Sequence, residues 1–260
     1  MTDIEKKDVS PEKSKVKERI SLAFHIILYI FLAFILIFFV WYMVFVSTHK
    51  YYIVEGSSMQ NTLNEGDRKD AVYVKSNSDV KLFDVVVINR KIQAPIIKRI
   101  VGMAGDYVTI AMSSDENTYH LYRIESGTDT TNFDNGSAKV EESGQNGYEI
   151  KSYDEWATKT ATVEMDGWSY ESDFYSTFLF ETSHNTITVS GLVYVQVPEN
   201  CYFYLGDNRK DSSDSRQNGF CTADNVVGAV DVTVPNQNVV NRFWCAVKHF
   251  FKQVGIFFTK

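Results

Sequence analysis

A serine and a lysine with unusual neighbours are the residues of this sequence that could do chemistry together. Ser58 lies in residues 56–63, which read Gly-Ser-Ser-Met-Gln-Asn-Thr-Leu, and Lys98 lies between Ile96 and Ile100. A serine hydroxyl is a weak nucleophile and needs a base beside it. A lysine amine can be that base only when it is neutral, and burial among apolar groups lowers its pKa from about 10.4. Because side chains alternate along a strand, Lys98 should share the apolar face of the two isoleucines.

A third stretch, rich in charges and hydroxyls, could position this pair. Residues 206–216 read Gly-Asp-Asn-Arg-Lys-Asp-Ser-Ser-Asp-Ser-Arg, and residues 98–106, which begin with the lysine, read Lys-Arg-Ile-Val-Gly-Met-Ala-Gly-Asp. Taken singly, Lys98 is typical of an exposed strand lysine and Ser58 of a turn serine. The hypothesis of a serine–lysine dyad therefore depends on the three stretches together.

The composition limits the kind of domain that can position these residues. The chain has 260 residues and 44% hydrophobic residues, which suffices for one ordinary domain with attachments. The formal net charge is -7, and this argues against a nucleic-acid partner, because duplex binding depends on a basic surface. We expect no metal site and no cofactor, since no His/Cys cluster has metal-ligand spacing.

The cysteines leave one alternative open. Cys201 and Cys221 flank the third stretch, and they would form a disulfide if that region faced an oxidising compartment. The other interpretation is two unpaired buried thiols, which we favour. Pairing cannot be deduced from a sequence alone.

Residues 21–46 form an apolar run without Asp, Glu, Lys or Arg. A helix of that length spans about 39 Å, which is enough to cross a hydrocarbon core of about 30 Å with some tilt. A cleaved signal peptide is the alternative, but its apolar region would be about 7–15 residues long. We predict a permanent transmembrane helix in the lipid bilayer, with Trp41 and Tyr42 at its far interface.

The charges beside the run predict its orientation. Residues 1–20 are polar, and we predict that they form a disordered tail. Four cations lie at the end of this tail, whereas only Lys50 lies just after the apolar run. The positive-inside rule puts this tail in the cytoplasm and everything beyond residue 50 outside. We therefore expect a single-pass protein of the cell membrane with an extracytoplasmic domain.

Beyond the anchor the pattern is β. Short β-branched runs separated by turn residues predict strands in residues 50–112 and 186–235. Residues 113–185 are richer in Thr, Ser, Tyr and acidic residues, and we interpret them as an inserted β subdomain of unassigned role. Residues 241–260 have apolar side chains spaced by three and four with cations elsewhere, which predicts an amphipathic helix. It either lies in the headgroup plane or packs on the core of the domain.

The three stretches resemble the motifs of type I signal peptidases, which are membrane-anchored serine proteases with a Ser/Lys dyad. Their motifs read roughly Gly-x-Ser-Met-x-Pro-Thr-Leu, Lys-Arg-Val-Ile-Gly-x-Pro-Gly-Asp and Gly-Asp-Asn-Arg-x-x-Ser-x-Asp-Ser-Arg. Residues 56–63, 98–106 and 206–216 follow them in the same order after one anchor. The resemblance implies a mainly β catalytic core of the signal-peptidase type. It covers residues 21–110 and 196–232.

The resemblance also implies roles for the matching residues. Ser58 would attack the scissile carbonyl, and Lys98 would be the general base and later the general acid. Ser212 would hydrogen-bond the lysine amine. Asp214 would bridge Arg216 and Arg99. The backbone N–H of Ser58 would be one oxyanion donor, while the second donor stays unassigned.

The implied substrate is an extended signal peptide of a secretory preprotein, with small side chains at positions -1 and -3. It would add a strand beside residues 53–56 and 95–98. A shallow apolar pocket would receive it, and the positions that match its lining are Val54, Met59, Leu63 and Ile97. Which preproteins are cut, and the oligomeric state, do not follow from the sequence.

Three positions depart from the family pattern. Asn61 and Ala104 stand where proline is usual, so both turns could be looser. Gly56 stands where some members place a serine whose hydroxyl helps to hold the oxyanion.

Two other functions are considered: a non-catalytic relative that assists assembly of exported subunits, and a self-cleaving regulator. Retention of both Ser58 and Lys98 argues against the first, and the anchor and its orientation argue against the second.

Overall fold

The computed structural model describes most of the chain. The described residues are 11–60, 62–67, 69–76, 78–90, 93–112, 119–131, 185–209 and 211–255. The chain divides into two compact units, one of residues 1–48 and 250–260 and the other of residues 49–249. Most of the predicted insertion, and Asn61, lie outside the described residues.

The first unit contains a long helix, α1, at Pro11–Thr48. Its segment Arg19–Thr48 has 30 residues with a mean hydropathy of 2.8, which is long and apolar enough to cross a membrane. The helix begins ten residues before the predicted span, so the second half of the predicted disordered tail is helical. The fixed φ of Pro11 suits the first turn of a helix, and the following ten residues contain no Gly or Pro to end it.

The second unit is mainly β. Its strands are β1 (His49–Ile53), β2 (Ala71–Ser76), β3 (Val85–Arg90), β4 (Gln93–Gly102), β5 (Tyr107–Met112), β6 (Tyr119–Ile124), β7 (Thr186–Val189), β8 (Leu192–Gln196), β9 (Cys201–Leu205), β10 (Cys221–Thr222) and β11 (Val226–Val234). Its short helical turns are η1 (Ser57–Met59), α2 (Ser215–Asn218) and η2 (Ala223–Asn225). A final helix, α3, spans Val239–Gln253 and begins in this unit. The predicted mainly β core between an apolar helix and a short terminal helix is confirmed.

The larger sheet carries both predicted catalytic residues. Its seven strands lie in the order β1-β2-β11-β3-β4-β9-β10, and all the pairs are antiparallel. Strand β4 is longer than its neighbours and pairs with β9 only through Arg99, Ile100 and Gly102. Its residues before Arg99 pair with β3 on one side, and among the described strands none pairs with their other side.

The smaller sheet shows that the predicted domain boundary at residue 112 divides paired strands. Its order is β6-β5-β8-β7, so β6 from the predicted insertion lies beside β5 from the predicted core. The predicted strand region 186–235 begins with a hairpin of β7 and β8. Ser190 and Gly191 have φ values of +48° and +84°, as a two-residue primed turn requires.

The strand register shows that Cys201 and Cys221 do not face each other. Cys221 lies opposite Tyr202, and Thr222 lies opposite Cys201, so the two thiols point to opposite faces of the sheet. Cys201 packs with the Phe203 cluster and Cys221 with the Tyr204 cluster. Both cysteines are free, as the favoured interpretation predicted.

Candidate active site

The predicted nucleophile lies on the single turn η1. Met59 is 1% exposed and holds this turn against the sheet, while Ser58 is half-buried. Gly56 precedes the turn with a φ of +89°, a conformation that favours glycine over a residue with a side chain. The turn therefore presents Ser58 at the rim of the core, and its conformation suits Gly56 better than the serine found in some relatives.

The predicted base comes from the middle of β4. Lys98 lies opposite Val86, and both neighbours on its face, Ile96 and Ile100, pack in the same apolar cluster as Val86. This agrees with the strand alternation expected from the sequence. Only 3% of Lys98 is exposed, so the surrounding strands exclude water from its stem and most of its amine.

Lys98 and Ser58 are in direct contact. The Lys98 Nζ atom lies 2.5 Å from Ser58 Oγ and 3.2 Å from the carbonyl oxygen of Ile97. Burial lowers the pKa of Lys98 from 10.5 to about 8, although the Asp214 carboxylate opposes this shift. A substantial fraction of the amine is therefore neutral in mildly alkaline solution, which is the state that can accept a proton from the hydroxyl.

Asn208 fastens the turn that carries Ser58. Its backbone N–H donates to the Ser58 carbonyl at 3.0 Å, and its side-chain Nδ2 donates to the Ser57 carbonyl at 3.1 Å and to Gln60 Oε1 at 3.2 Å. The Ser57 hydroxyl donates to the Asp211 carboxylate. Hydrogen bonds from the backbone and side chain of Asn208, together with the bond to Asp211, thus hold the turn that carries Ser58.

Two buried ion pairs stiffen the loop on either side. Arg99 donates from Nε and Nη2 to the two carboxylate oxygens of Asp207 at 2.9 and 2.6 Å. Thr62 Oγ1 also donates to Asp207. Burial raises the pKa of Asp207, but the hydrogen bonds and charge of Arg99 lower it more, so the net pKa lies below the ordinary value.

The second pair joins Asp214 and Arg216. Arg216 Nε and Nη2 donate to the carboxylate at 2.7 and 2.8 Å, and both side chains are fully buried. Burial raises the pKa of Asp214, but the Arg216 charge and further hydrogen bonds, one of them from the Gly206 N–H, leave it below the ordinary value. Asp207 is the bidentate partner of Arg99, and the implied bridge from Asp214 to Arg99 remains a prediction.

Ser212 is buried beside this pair. Its Oγ helps to lower the pKa of the Asp214 carboxyl, yet among the described residues it reaches no partner with hydrogen-bonding geometry, Lys98 included. Gly206 makes the tight packing possible. A Cβ there would collide with Ser212 Oγ and would lie 2.5 Å from the Ser58 carbonyl oxygen. The implied bond from Ser212 to the amine remains a prediction.

The four predicted pocket residues lie together, but three of them belong to the core. One cluster contains Val54, Met59 and Leu63, each at most 2% exposed, with Ile97 packed against it half-buried. They can therefore form the floor of a pocket, with Ile97 nearest to solvent.

The sequence interpretation assigned no role to several residues that hold the site. These are Thr62, Asp207, Asn208 and Asp211. All lie within the motifs already singled out, but spacing alone does not show which carboxylate meets which arginine. Across the described part of the chain, no group of three or more His, Cys, Asp or Glu residues is arranged to hold a metal ion.

A buried lysine hydrogen-bonded to a serine is the arrangement that a serine hydrolase with an amine as base requires. A family model described as "Signal peptidase, peptidase S26" matches residues 23–234. The chain therefore belongs to the signal peptidase family, and it is an enzyme of the serine peptidase class. With its long apolar helix it is a membrane-anchored member of that family.

Two Bacillus relatives agree with this assignment. Signal peptidase I of Bacillus caldolyticus is 31% identical over 183 residues, covering 69% of this chain and 76% of that protein. Signal peptidase I of Bacillus amyloliquefaciens is 30% identical over 179 residues, covering 68% and 71%. A crystal structure of a signal peptidase I from Enterococcus faecalis V583 covers 59% of this chain and 97% of its own, with 19% identity and a TM-score of 0.30.

Proposed function

We propose that this enzyme removes N-terminal signal peptides from exported preproteins, with Ser58 as the nucleophile and Lys98 as the general base. The observation that carries this assignment is the 2.5 Å contact between the Lys98 amine and the Ser58 hydroxyl, made by a lysine that is only 3% exposed. Membership of the signal peptidase family supports the substrate class.

The chemistry follows from the state of the amine. Neutral Lys98 accepts the Ser58 proton as Oγ bonds to the scissile carbonyl carbon, and the carbonyl oxygen becomes an oxyanion that accepts a hydrogen bond from the Ser58 N–H. The ammonium of Lys98 then donates its proton to the leaving amine as the peptide bond breaks. The mature protein leaves with its new amino terminus, and neutral Lys98 then accepts a proton from water as the water oxygen bonds to the acyl carbon. The Lys98 ammonium returns this proton to Ser58 Oγ as the ester bond breaks and the signal peptide leaves.

The free side of β4 is suited to an extended substrate. Its residues before Arg99 have strand β3 on one side only, so their outer backbone groups are available to a peptide strand. Ile97 and the apolar cluster beneath it would favour small side chains at positions -1 and -3 of the signal peptide. A large side chain would have to displace Met59, which is almost fully buried.

The proposed topology follows from charge. Residues 1–20 would be cytoplasmic and the catalytic unit extracytoplasmic in the cell membrane, because four cations precede the apolar run. Protease added to intact cells should then digest the catalytic unit. Digestion that occurs only after cell lysis would contradict this topology.

The activity is tested with a synthetic signal-peptide substrate and the full chain in detergent, with product masses defining the cut. Ser58→Ala and Lys98→Ala should each lower the cleavage rate by about 10⁴-fold or more. Ser213→Ala and Lys75→Ala alter exposed residues of the same types and serve as matched controls. Cleavage by either dyad variant at the wild-type rate would rule out the assignment.

The pH dependence tests the role of the lysine separately. Since the pKa of Lys98 is about 8, kcat/KM should rise with pH on a limb centred near that value in the free enzyme. A limb near 10.4, the value for an exposed lysine, would contradict a desolvated base.

A further inference from the structure

Helix α3 presents an apolar face away from the protein. Val240, Phe243, Trp244 and Val254 are 63%, 52%, 55% and 52% exposed. Half-buried Val247 continues the same stripe, because these spacings of three, four and seven residues bring side chains to one side of a helix. An amphipathic helix of a soluble domain normally turns such a face to the core.

The other side of α3 faces the sheet and is mixed in character. The Arg242 guanidinium lies 4.3 Å from the centre of the Tyr51 ring and donates to Tyr73 Oη at 3.3 Å. His249 Nε2 lies 3.4 Å from Asp231 Oδ2, and Asn241 Nδ2 donates to the carbonyl of Pro235 at 2.7 Å. Ala246, on the same side, is only 2% exposed. These contacts hold α3 to the sheet and leave its apolar stripe exposed.

The last turn of α3 belongs to the first unit and contacts the membrane-spanning helix. The Phe250 ring centre lies 5.1 Å from that of Trp41, 5.3 Å from Phe38 and 5.9 Å from Phe34. Trp41 Nε1 also donates to Gln253 Oε1 at 2.8 Å. Tryptophan is typical of the membrane interface, and Phe38 and Phe34 lie about one and two helical turns further along the apolar segment.

We propose that α3 is an interfacial membrane helix whose apolar stripe inserts among the acyl chains of the bilayer that α1 crosses. Val254, at the end of the stripe, is exposed and belongs to the same unit as α1, so lipid that surrounds α1 at the Phe250 contact would also reach this end of the stripe. Exposed Lys248 and Lys252 lie beside the stripe, within reach of anionic headgroup phosphates. This second contact would keep the C-terminal end of the catalytic unit at the lipid surface.

The proposal is tested on the full chain in anionic phospholipid vesicles with brominated acyl chains. The fluorescence of Trp244 is obtained as the difference between the wild type and Trp244→Phe, a variant that keeps the face apolar. Bromine quenches only at short range, so the brominated lipid should remove most of this difference signal. Aqueous iodide should leave most of it.

A matched control uses a tryptophan at the far side of the sheet. Asp224 is exposed in η2, next to edge strand β10, whereas α3 lies beside β1, β2 and β11. In the Trp244→Phe background, Asp224→Trp should respond to iodide and not to brominated lipid. This control shows that the quenching depends on position.

Two results would overturn the proposal. Quenching of Trp244 by iodide and not by brominated lipid would put the stripe in water. Protection from both quenchers would mean that protein covers it, and disulfide-linked dimers of a Val240→Cys variant would then identify a second copy of this chain as the occupant. Neither result would bear on the catalytic assignment, because the readout does not use activity.

Discussion

The loops around Ser58 and the helix α3 depart in opposite directions from the rule that charge faces water and apolar groups face the core. In the loops, Arg99, Arg216, Asp207 and Asp214 are almost fully buried. On α3, aromatic and aliphatic side chains are exposed instead of packing on the sheet. Each region reverses the usual pattern, but the compensation differs.

The buried charges are compensated by geometry. Each arginine meets its carboxylate with two hydrogen bonds, so neither charge is left without a partner in a low-dielectric setting. The apolar side chains of the stripe are instead exposed, Val240 and Trp244 to 63% and 55%. Exposed apolar surface is unfavourable in water, and the proposed contact with lipid would cover it.

The largest effect on folding should come from separating a buried pair. Asp214→Asn leaves the Arg216 charge buried without its carboxylate, and we expect a loss of about 3–5 kcal/mol in the free energy of unfolding. Chemical denaturation of the full chain in detergent measures this loss. Adding Arg216→Met should restore part of it. A loss below about 1 kcal/mol would show that the pair contributes little to the stability of the loop.

The next largest effect should be on kcat and should come from the hydrogen bonds that Asn208 makes to the turn carrying Ser58. Asn208→Ala removes the side-chain bonds to Ser57 and Gln60, so Ser58 should lose its alignment, and kcat should fall by about 10²-fold with little change in KM. Gln60→Ala loses only one of these bonds and should cost less. A rise in KM with kcat unchanged would instead indicate that Asn208 contacts substrate.

Removing the amine should stabilise the fold while it abolishes catalysis. The pKa of Lys98 is lowered from 10.5 to about 8, so at pH 7 the folded protein carries a charge that burial disfavours. Lys98→Met should therefore raise the free energy of unfolding by about 1–3 kcal/mol.

The sign of this effect can be checked against pH. Between about pH 8 and 10.5 the unfolded chain holds a proton that the folded protein has released, so wild-type stability rises with pH in that window. The advantage of Lys98→Met should thus be largest below pH 8 and vanish by about 10.5. An advantage independent of pH would point to packing rather than charge.

The smallest effect on the free energy of unfolding should come from a substitution in the exposed stripe. Comparing it with a substitution on the other side of α3 tests the difference between the two sides. Trp244→Ser should change the free energy of unfolding in detergent by less than about 0.5 kcal/mol, because the domain does not cover this side chain. Arg242→Ala, on the opposite side, loses its contacts with Tyr51 and Tyr73 and should cost about 1–2 kcal/mol. Equal costs would contradict the difference between the exposed stripe and the side of α3 that contacts the sheet.

Much of this architecture could be predicted because it rests on local patterns. The apolar run that becomes α1, the strands β3 and β11 and the amphipathic α3 follow from periodicity and length alone. The hairpin of β7 and β8 was missed although Ser190-Gly191 is a turn signal, because the apolar pattern continues on both sides of it.

The sequence by itself determined which groups are available: a serine on a glycine-preceded turn, a lysine in an apolar strand, a loop of paired charges and an amphipathic C-terminal segment. Only the tertiary structure decided that Asp207 is the bidentate partner of Arg99, and that α3 leaves Phe243 and Trp244 exposed. The physical reason is the same in both cases. Partner choice depends on distances between residues far apart in the chain, which spacing along the sequence does not encode.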